Sequence, residues 1–324
     1  MPDGADFIGE INIADILMDK DITDIYDAYP KGPDYPQDFE DALDWVNGEI
    51  DIDISGFESV VFFSNIAVLM SATTDEDIPE YVYYGAIVTG AFDEESLLGV
   101  LEKAMGEEFS LVEYKGYDIF ADKTDLLCIA FFRDGIFALG NIEAVEDVID
   151  VREGDMSAAS GSVMEVYDEL GNALIKVAEV TPPGYQALQG FEDIIGEDFP
   201  LQLPPDLAEI MDTESGGFAF LKDGSLLSML GISLYSSSDA AENAGKAIEG
   251  LLMMMRMLLY SIPMGDLPEE FAELYTWIIG LFDEMEVSVS ESWLSMRFDI
   301  PLIELKDIIV KFQYLIEQEG MLTY

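Results

Sequence analysis

The segment Leu126-Leu127-Cys128-Ile129-Ala130-Phe131-Phe132-Arg133-Asp134-Gly135-Ile136-Phe137-Ala138-Leu139 holds two apolar runs separated by a short polar break. Aspartate-glycine between two such runs supplies the left-handed backbone that a tight hairpin turn needs, so the segment predicts two antiparallel strands. The stretch 109–122 repeats the pattern around Lys115-Gly116, which extends the hairpin into a meander. Helices flank it on both sides. Upstream, Asp93-Glu94-Glu95 opens a helix with Leu97, Leu98, Leu101, Ala104 and Met105 on one face; its acidic first turn suits the positive end of the helix dipole. Downstream, Gly140-Asn141 starts a helix carrying Ile142, Val145, Val148 and Ile149.

Working outward, the amino-terminal part predicts a strand at 6–13, one or two helices over 14–29, a helix at 38–47, and strands at 59–64 and 81–92. Between 152 and 161 the composition turns to Gly, Ser and Ala, a boundary signal. Beyond it the order of elements begins again. A helix at 163–170 leads to a strand at 173–180, a loop-rich stretch from Pro182-Pro183-Gly184 to Pro205, and a helix at 206–211. Strands at 217–221 and 225–235 flank a second aspartate-glycine turn, Asp223-Gly224. A long helix at 239–260 follows, with Asp239 and Glu242 spaced as a capping pair, then a helix at 269–282, a hairpin at 286–300 and a last helix at 302–317. The expectation is an α+β fold of mainly antiparallel sheets with helices packed on one face, arranged as two duplicated halves, 1–155 and 156–324.

Composition sets the electrostatic frame. Sixty-seven acidic residues against fourteen basic ones, with no histidine, give a net charge of -53. Half the residues are hydrophobic and 11% aromatic, so the chain can fill a core and is not of the disordered acidic type. The carboxylates therefore crowd the surface, where salt, divalent cations or a basic neighbour must screen them. A nucleic acid gains nothing from a surface of its own sign, which excludes that partner class. Without histidine there is no standard catalytic triad and no imidazole metal ligand, and the sequence holds no nucleophile elbow, phosphate loop or dinucleotide fingerprint. The reading is non-enzymatic, with no required cofactor. The single cysteine, Cys128, reads as a small buried hydrophobe. The most apolar window, 251–264, contains Arg256 and at about 14 residues falls short of the ~20 that a membrane-spanning helix needs.

One segment has the opening of a calcium loop: Asp51-Ile52-Asp53-Ile54-Ser55-Gly56 places Asp51, Asp53 and Ser55 at first, third and fifth positions and glycine at sixth. The twelfth position, which should close the loop with a bidentate glutamate, is Phe62. Asp51, Asp53 and Ser55 are the candidate metal ligands, weighed against an extended chain entering a strand; weak divalent binding by the acidic surface at large is the competing expectation. Met253, Met254, Met255 and Met257, set among leucines, are assigned to core packing over an adaptable binding groove. Tyr81, Tyr83 and Tyr84 are assigned to sheet-face packing.

Pro2-Asp3-Gly4-Ala5-Asp6-Phe7, Gly85-Ala86-Ile87-Val88-Thr89-Gly90-Ala91-Phe92-Asp93, Tyr114-Lys115-Gly116-Tyr117-Asp118-Ile119 and Gly140-Asn141 with Val145 and Val148-Ile149 together resemble exported archaeal and bacterial proteins of secreted or lipoprotein type over most of the chain. The composition resembles that of prokaryotic surface-layer and sheath proteins. These resemblances imply an extracellular or cell-surface location, with a leader cut away, since Met1-Pro2-Asp3-Gly4-Ala5-Asp6 does not read as a signal sequence; the cytoplasm of a high-salt organism is the alternative setting. They carry over no functional residue. The expected function is that of a structural envelope protein able to assemble with copies of itself; the alternative is a binding module for a small apolar ligand or a basic partner.

Overall fold

The computed structural model describes residues 1–29, 31, 35–50, 52–65, 83–133, 135–181, 213–263 and 269–318. In chain order these form β1 (Phe7–Ile11), α1 (Ile13–Met18), α2 (Lys20–Ala28), α3 (Phe39–Ile50), a 3-10 turn (Ile54–Gly56), β2 (Phe57–Ser64), β3 (Tyr84–Gly90), α4 (Glu94–Met105), β4 (Ser110–Tyr114), β5 (Tyr117–Ala121), β6 (Cys128–Phe132), β7 (Ile136–Gly140) and α5 (Ile142–Glu153). Then come α6 (Ser162–Glu169), β8 (Ile175–Val180), β9 (Thr213–Asp223), β10 (Leu226–Tyr235), α7 (Ser238–Ser261), α8 (Glu269–Glu284), β11 (Glu286–Ser290), β12 (Trp293–Pro301) and α9 (Leu302–Gln318). The helix expected at 206–211 lies outside the described residues.

Local chemistry explains the breaks. Lys115 and Gly116 take φ values of 50° and 82°, and Gly135 and Gly224 of 70° and 58°, the left-handed conformation that reverses each hairpin. Asp93 caps α4 through its carboxylate, which accepts from Ser96 N at 2.8 Å. The cap of α7 is Ser237, whose Oγ accepts from Ala240 N at 3.2 Å. Asp239 sits in the first turn, so the expected Asp239–Glu242 capping pair begins too late.

All twelve strands join one antiparallel sheet in the order β11-β12-β10-β9-β8-β1-β2-β3-β7-β6-β5-β4. The fold is α+β. The two expected halves meet where β1 pairs with β8. Outward from that junction one half runs β1-β2-β3-β7 and the other β8-β9-β10-β12: in each, three successive strands are followed by the last strand of the half.

The helices cover both faces of the sheet instead of the single face expected. On one face Ile8, Phe63, Ala138, Ala130, Ala178 and Ala219 pack against Val145, Val148 and Ile149 of α5 and Val163 and Val166 of α6. On the other, Val88, Ile129 and Phe137 pack against Leu97 of α4, while Tyr235 and Leu294 pack against Ala241, Ala244 and Ile248 of α7. The physical reason is visible in β6, Cys-Ile-Ala-Phe-Phe, which lacks the apolar-polar alternation of a half-solvated strand and is buried on both sides. Phe62 and Phe63, adjacent on β2, point to opposite faces and cover glycines on the neighbouring strands: a Cβ at Gly9 would run into the Phe62 ring, and one at Gly85 into the Phe63 ring.

The β1–β8 seam is fixed by a charge pair in a largely apolar setting. Glu10 and Lys176 are direct cross-strand partners. Lys176 is buried; its Nζ lies 3.3 Å from Glu10 Oε2, donates to Gly171 O at 2.9 Å and sits 3.7 Å from the centre of the Tyr167 ring. Tyr167 in turn donates its hydroxyl to Glu10 Oε2 at 2.6 Å. Removing one partner of a buried pair leaves an uncompensated charge, at a cost of about 3–5 kcal/mol, whereas replacing both by apolar groups is often neutral. Lys176→Met is therefore expected to lower the unfolding free energy in urea by about 3 kcal/mol, and the Glu10→Leu/Lys176→Met double variant to recover most of it; equal losses in the single and double variants would show that the pair does not hold the seam.

Candidate functional site

The calcium-like segment is a capping structure as far as it is described. Asp53 Oδ1 accepts from Ser55 N at 3.0 Å and from Ser55 Oγ at 2.6 Å, and Asn47 Oδ1 accepts from Ile54 N at 3.0 Å, tying the 3-10 turn to the end of α3. These bonds, the Ser55 hydroxyl first, hold the Asp53 carboxyl below the usual carboxylate range. Asp51 lies outside the described residues. Among the described residues no three acidic, cysteine or histidine side chains converge as a metal site.

Cys128 is fully buried on β6, and burial, followed by the charges of Asp125 and Asp122, pushes its thiol up to about 12. The described Tyr83 and Tyr84 serve the sheet: Tyr83 packs against Phe63 with ring centres 6.0 Å apart, and Tyr84 donates to Leu126 O at 2.5 Å.

A row of carboxylates on α5 is served by tyrosines. Tyr83 donates to Asp147 at 3.0 Å, Tyr114 to Asp150 at 3.2 Å and Tyr117 to Glu153 at 2.6 Å. Lys115, from the β4–β5 turn, bridges Asp150 at 2.8 Å and Asp155 at 2.7 Å. Glu146 and Asp147 are pushed above the ordinary range, each chiefly by burial, with neighbouring carboxylates on the helix adding to it. Asp150 and Glu153 fasten the β4–β5 hairpin to α5, and Asp147 ties Tyr83, just before β3, to the same helix.

At the end of that hairpin lies a cleft of about 570 Å³ lined by Lys115, Tyr117, Phe120, Phe131, Arg133 and Arg152, with Glu94, Asp118 and Glu153 also on its wall. The Arg152 guanidinium sits 5.1 Å from the centre of the Phe132 ring. At the opposite end of the sheet the long helix α7 changes character along its length. Its first part is bound to the sheet through Ala241, Ala244, Gly245, Ala247, Ile248 and Leu252, and beyond Leu252 it has no buried residue. Met253, Met257 and Tyr260, spaced as one helical face, are 64%, 66% and 63% exposed. The assignment of the methionines to the core thus fails for Met253 and Met257. An apolar run on all sides of a helix cannot distinguish burial from a projecting helix end.

No protein-family model matches the sequence, and no curated protein matches it. Among solved structures, crystal form I of TP0453 is similar with a TM-score of 0.41 at 7% identity, covering 95% of this chain and 94% of that one. Form III gives 0.42 at 8% identity over 95% of each chain, and form IV gives 0.43 at 8% over 96% of each. No residue receives a role from these likenesses.

Two measurements follow from the titrating groups. Glu146, Asp147 and Glu179 are raised, mainly by burial, so the folded protein binds more protons than the unfolded chain above the ordinary range of 3.8 to 4.5, and their contribution to stability falls as pH rises through their folded values. Asp53, Asp93 and Asp299 are lowered, led by hydrogen bonds from Ser55, Ser96 and Ser228, so their contribution is lost as pH falls through theirs. The thermal midpoint is expected to rise as pH is lowered from about 8 to about 5 and to fall below about 4, and added salt at pH 8 is expected to mimic the first effect; a midpoint that drops between pH 8 and 5 would contradict this. The Cys128 thiol is expected to resist a thiol reagent in the folded state and to react fully in denaturant; rapid labelling of native protein would place it at the surface.

Proposed function

We propose that this protein is a non-enzymatic structural protein of the cell surface or envelope that associates with copies of itself through the exposed face of α7. The observation that carries the proposal is the exposure of Met253, Met257 and Tyr260 on a stretch without carboxylates: from Gly250 to Gly265 the sequence has no acidic residue. In a chain of net charge -53, two copies approaching elsewhere bring like charges together. Here the stretch itself adds no carboxylate and the flanking ones are Glu249, one turn before Met253, and Asp283, bonded to Tyr260, so repulsion is reduced and apolar contact can act.

The face is also held firmly. Arg256, the one basic residue of the stretch, is turned inward: its Nε donates to Phe282 O at 2.9 Å at the end of α8 and lies 3.5 Å from Asp283 Oδ1. Tyr260 donates to Asp283 at 2.5 Å, and Tyr275 donates to Leu259 O. A braced helix end loses little freedom on docking, which favours association. The non-enzymatic part of the proposal is supported by the absence of histidine from the sequence and by the structural use of the perturbed acids on α5. The surface location is supported by the acidic composition. Among the described residues no helix is long and apolar enough to cross a membrane.

Sedimentation velocity at increasing protein concentration tests the association. The wild type is expected to form dimers or larger species, more so at about 1 M salt than at about 50 mM because screening weakens the repulsion. A Met253→Glu/Met257→Glu variant, changed only at exposed positions, is expected to remain monomeric with an unchanged circular dichroism spectrum. A wild type that stays monomeric at high salt, or a double variant that associates as well as the wild type, would overturn the proposal.

A further inference from the structure

The cleft at the β4–β5 end is not absorbed by that function, and it contains an electrostatic oddity. Sixty-seven carboxylates and fourteen cations should leave hardly any cation without an acidic neighbour. Lys115, Lys123, Lys176, Lys222, Arg256 and Arg297 all follow that rule. Arg133 and Arg152 do not: among the described residues neither forms a salt bridge, and both line this one cleft. Both side chains belong to exposed residues, one at the end of β6 and one in the last turn of α5.

We propose that the cleft binds a small monocarboxylate with an apolar body, its carboxylate held by Arg133 and Arg152. A guanidinium presents a planar fork of donors that matches a carboxylate bidentately, and among the described residues neither fork is held in a salt bridge, Arg152 having the Tyr117 hydroxyl and the Phe132 ring beside it. Tyr117, Phe120 and Phe131 offer apolar wall; the Phe120 and Phe131 rings meet edge-on with centres 6.0 Å apart. The volume of about 570 Å³ suits a small ligand. Charge selects against larger anions. Lys115 is already committed to Asp150 and Asp155, and Glu94, Asp118 and Glu153 on the wall offset the cations, so the cleft has no net positive field for a polyanion. The surrounding charge of -53 repels a dianion about twice as strongly as a monoanion, which leaves the short-range fit of one carboxylate as the favoured match.

Titration calorimetry on the full chain tests this with 4-phenylbutyrate as probe, 4-phenylbutyramide as its uncharged counterpart and inorganic phosphate as a competing anion. The carboxylate is expected to bind saturably at one site, with the amide and phosphate each at least about tenfold weaker. Arg133→Gln and Arg152→Gln are each expected to weaken binding about tenfold or more, and Arg133→Lys, which keeps the charge and loses the fork, to weaken it less. The Met253→Glu/Met257→Glu variant, altered at the other end of the sheet, is expected to bind the probe as the wild type does, so this result stands apart from the fate of the association face. Absence of saturable binding overturns the proposal. So does equal affinity for the amide, which would mean an apolar crevice only, equal affinity for phosphate, which would mean a general anion site, or wild-type binding by both glutamine variants.

Discussion

A folded chain with sixty-seven carboxylates and fourteen cations cannot satisfy its acids with counter-charges of its own, and the structure is organised around that shortage. Several of its cations are placed at joints. Lys222 on β9 reaches Asp19 and Asp21 at the start of α2; Lys115 ties the β4–β5 turn to α5; Lys311 on α9 meets Glu273 on α8. Each pair links elements far apart in sequence, where fixing one geometry counts for more than the small worth of an exposed ion pair. Elsewhere tyrosine takes over. The hydroxyls of Tyr83, Tyr114, Tyr117, Tyr167 and Tyr260 donate to Asp147, Asp150, Glu153, Glu10 and Asp283. A neutral donor stabilises a carboxylate without drawing on the cations, and its ring packs against the sheet at the same time.

Edge pairing gives a reason for the continuity of the sheet. Two separate sandwiches would each present solvated sheet faces and additional edges, and edges are where unpaired backbone invites unwanted pairing. Joining β1 to β8 turns two inner edges into a seam and, among the described strands, leaves β4 and β11 as the edges. The seam is where one of the few cations is buried: Lys176 opposes Glu10 with Tyr167 beside both. A slip of one residue would send Glu10 and Lys176 to opposite faces, so the pair also fixes the register.

Elements were legible in the sequence wherever backbone chemistry is local. The turns at Lys115-Gly116 and Gly224, the cap at Asp93 and the apolar stripe of α5 all lie where residue type and spacing place them. Strand order was not legible, because the pairing of β3 with β7 and of β1 with β8 depends on partners brought together across many residues. The two-sided burial of β6 had a signal, the unbroken Cys-Ile-Ala-Phe-Phe run, yet such a run looks the same in any buried element. In the oxygen pattern from Asp51 to Gly56, Asp53 serves as a helix-type cap through Oδ1, a task aspartate suits as well as ion binding, so the pattern alone does not separate the two. Arg133 and Arg152 stood out in neither spacing nor composition. Only their shared cleft, and the absence among the described residues of a salt bridge to either, marks them.

Both surfaces argued to meet other molecules are exceptions to the anionic shell, of different kinds and at opposite ends of the sheet. The end of α7 has no carboxylate of its own and shows methionine and tyrosine; the β4–β5 cleft keeps carboxylates but holds two guanidiniums that form no salt bridge among the described residues. This follows from the electrostatics. Over most of the molecule an approaching protein of the same kind, or any free anion, meets repulsion that acts over roughly a Debye length, ~8 Å at physiological salt. A contact gains net free energy only where repulsion is locally weakened or offset, and the two ends of this sheet offer such places. An acidic shell of this strength therefore does more than keep the protein in solution: it discourages encounters everywhere else and leaves specificity to the few places that depart from it.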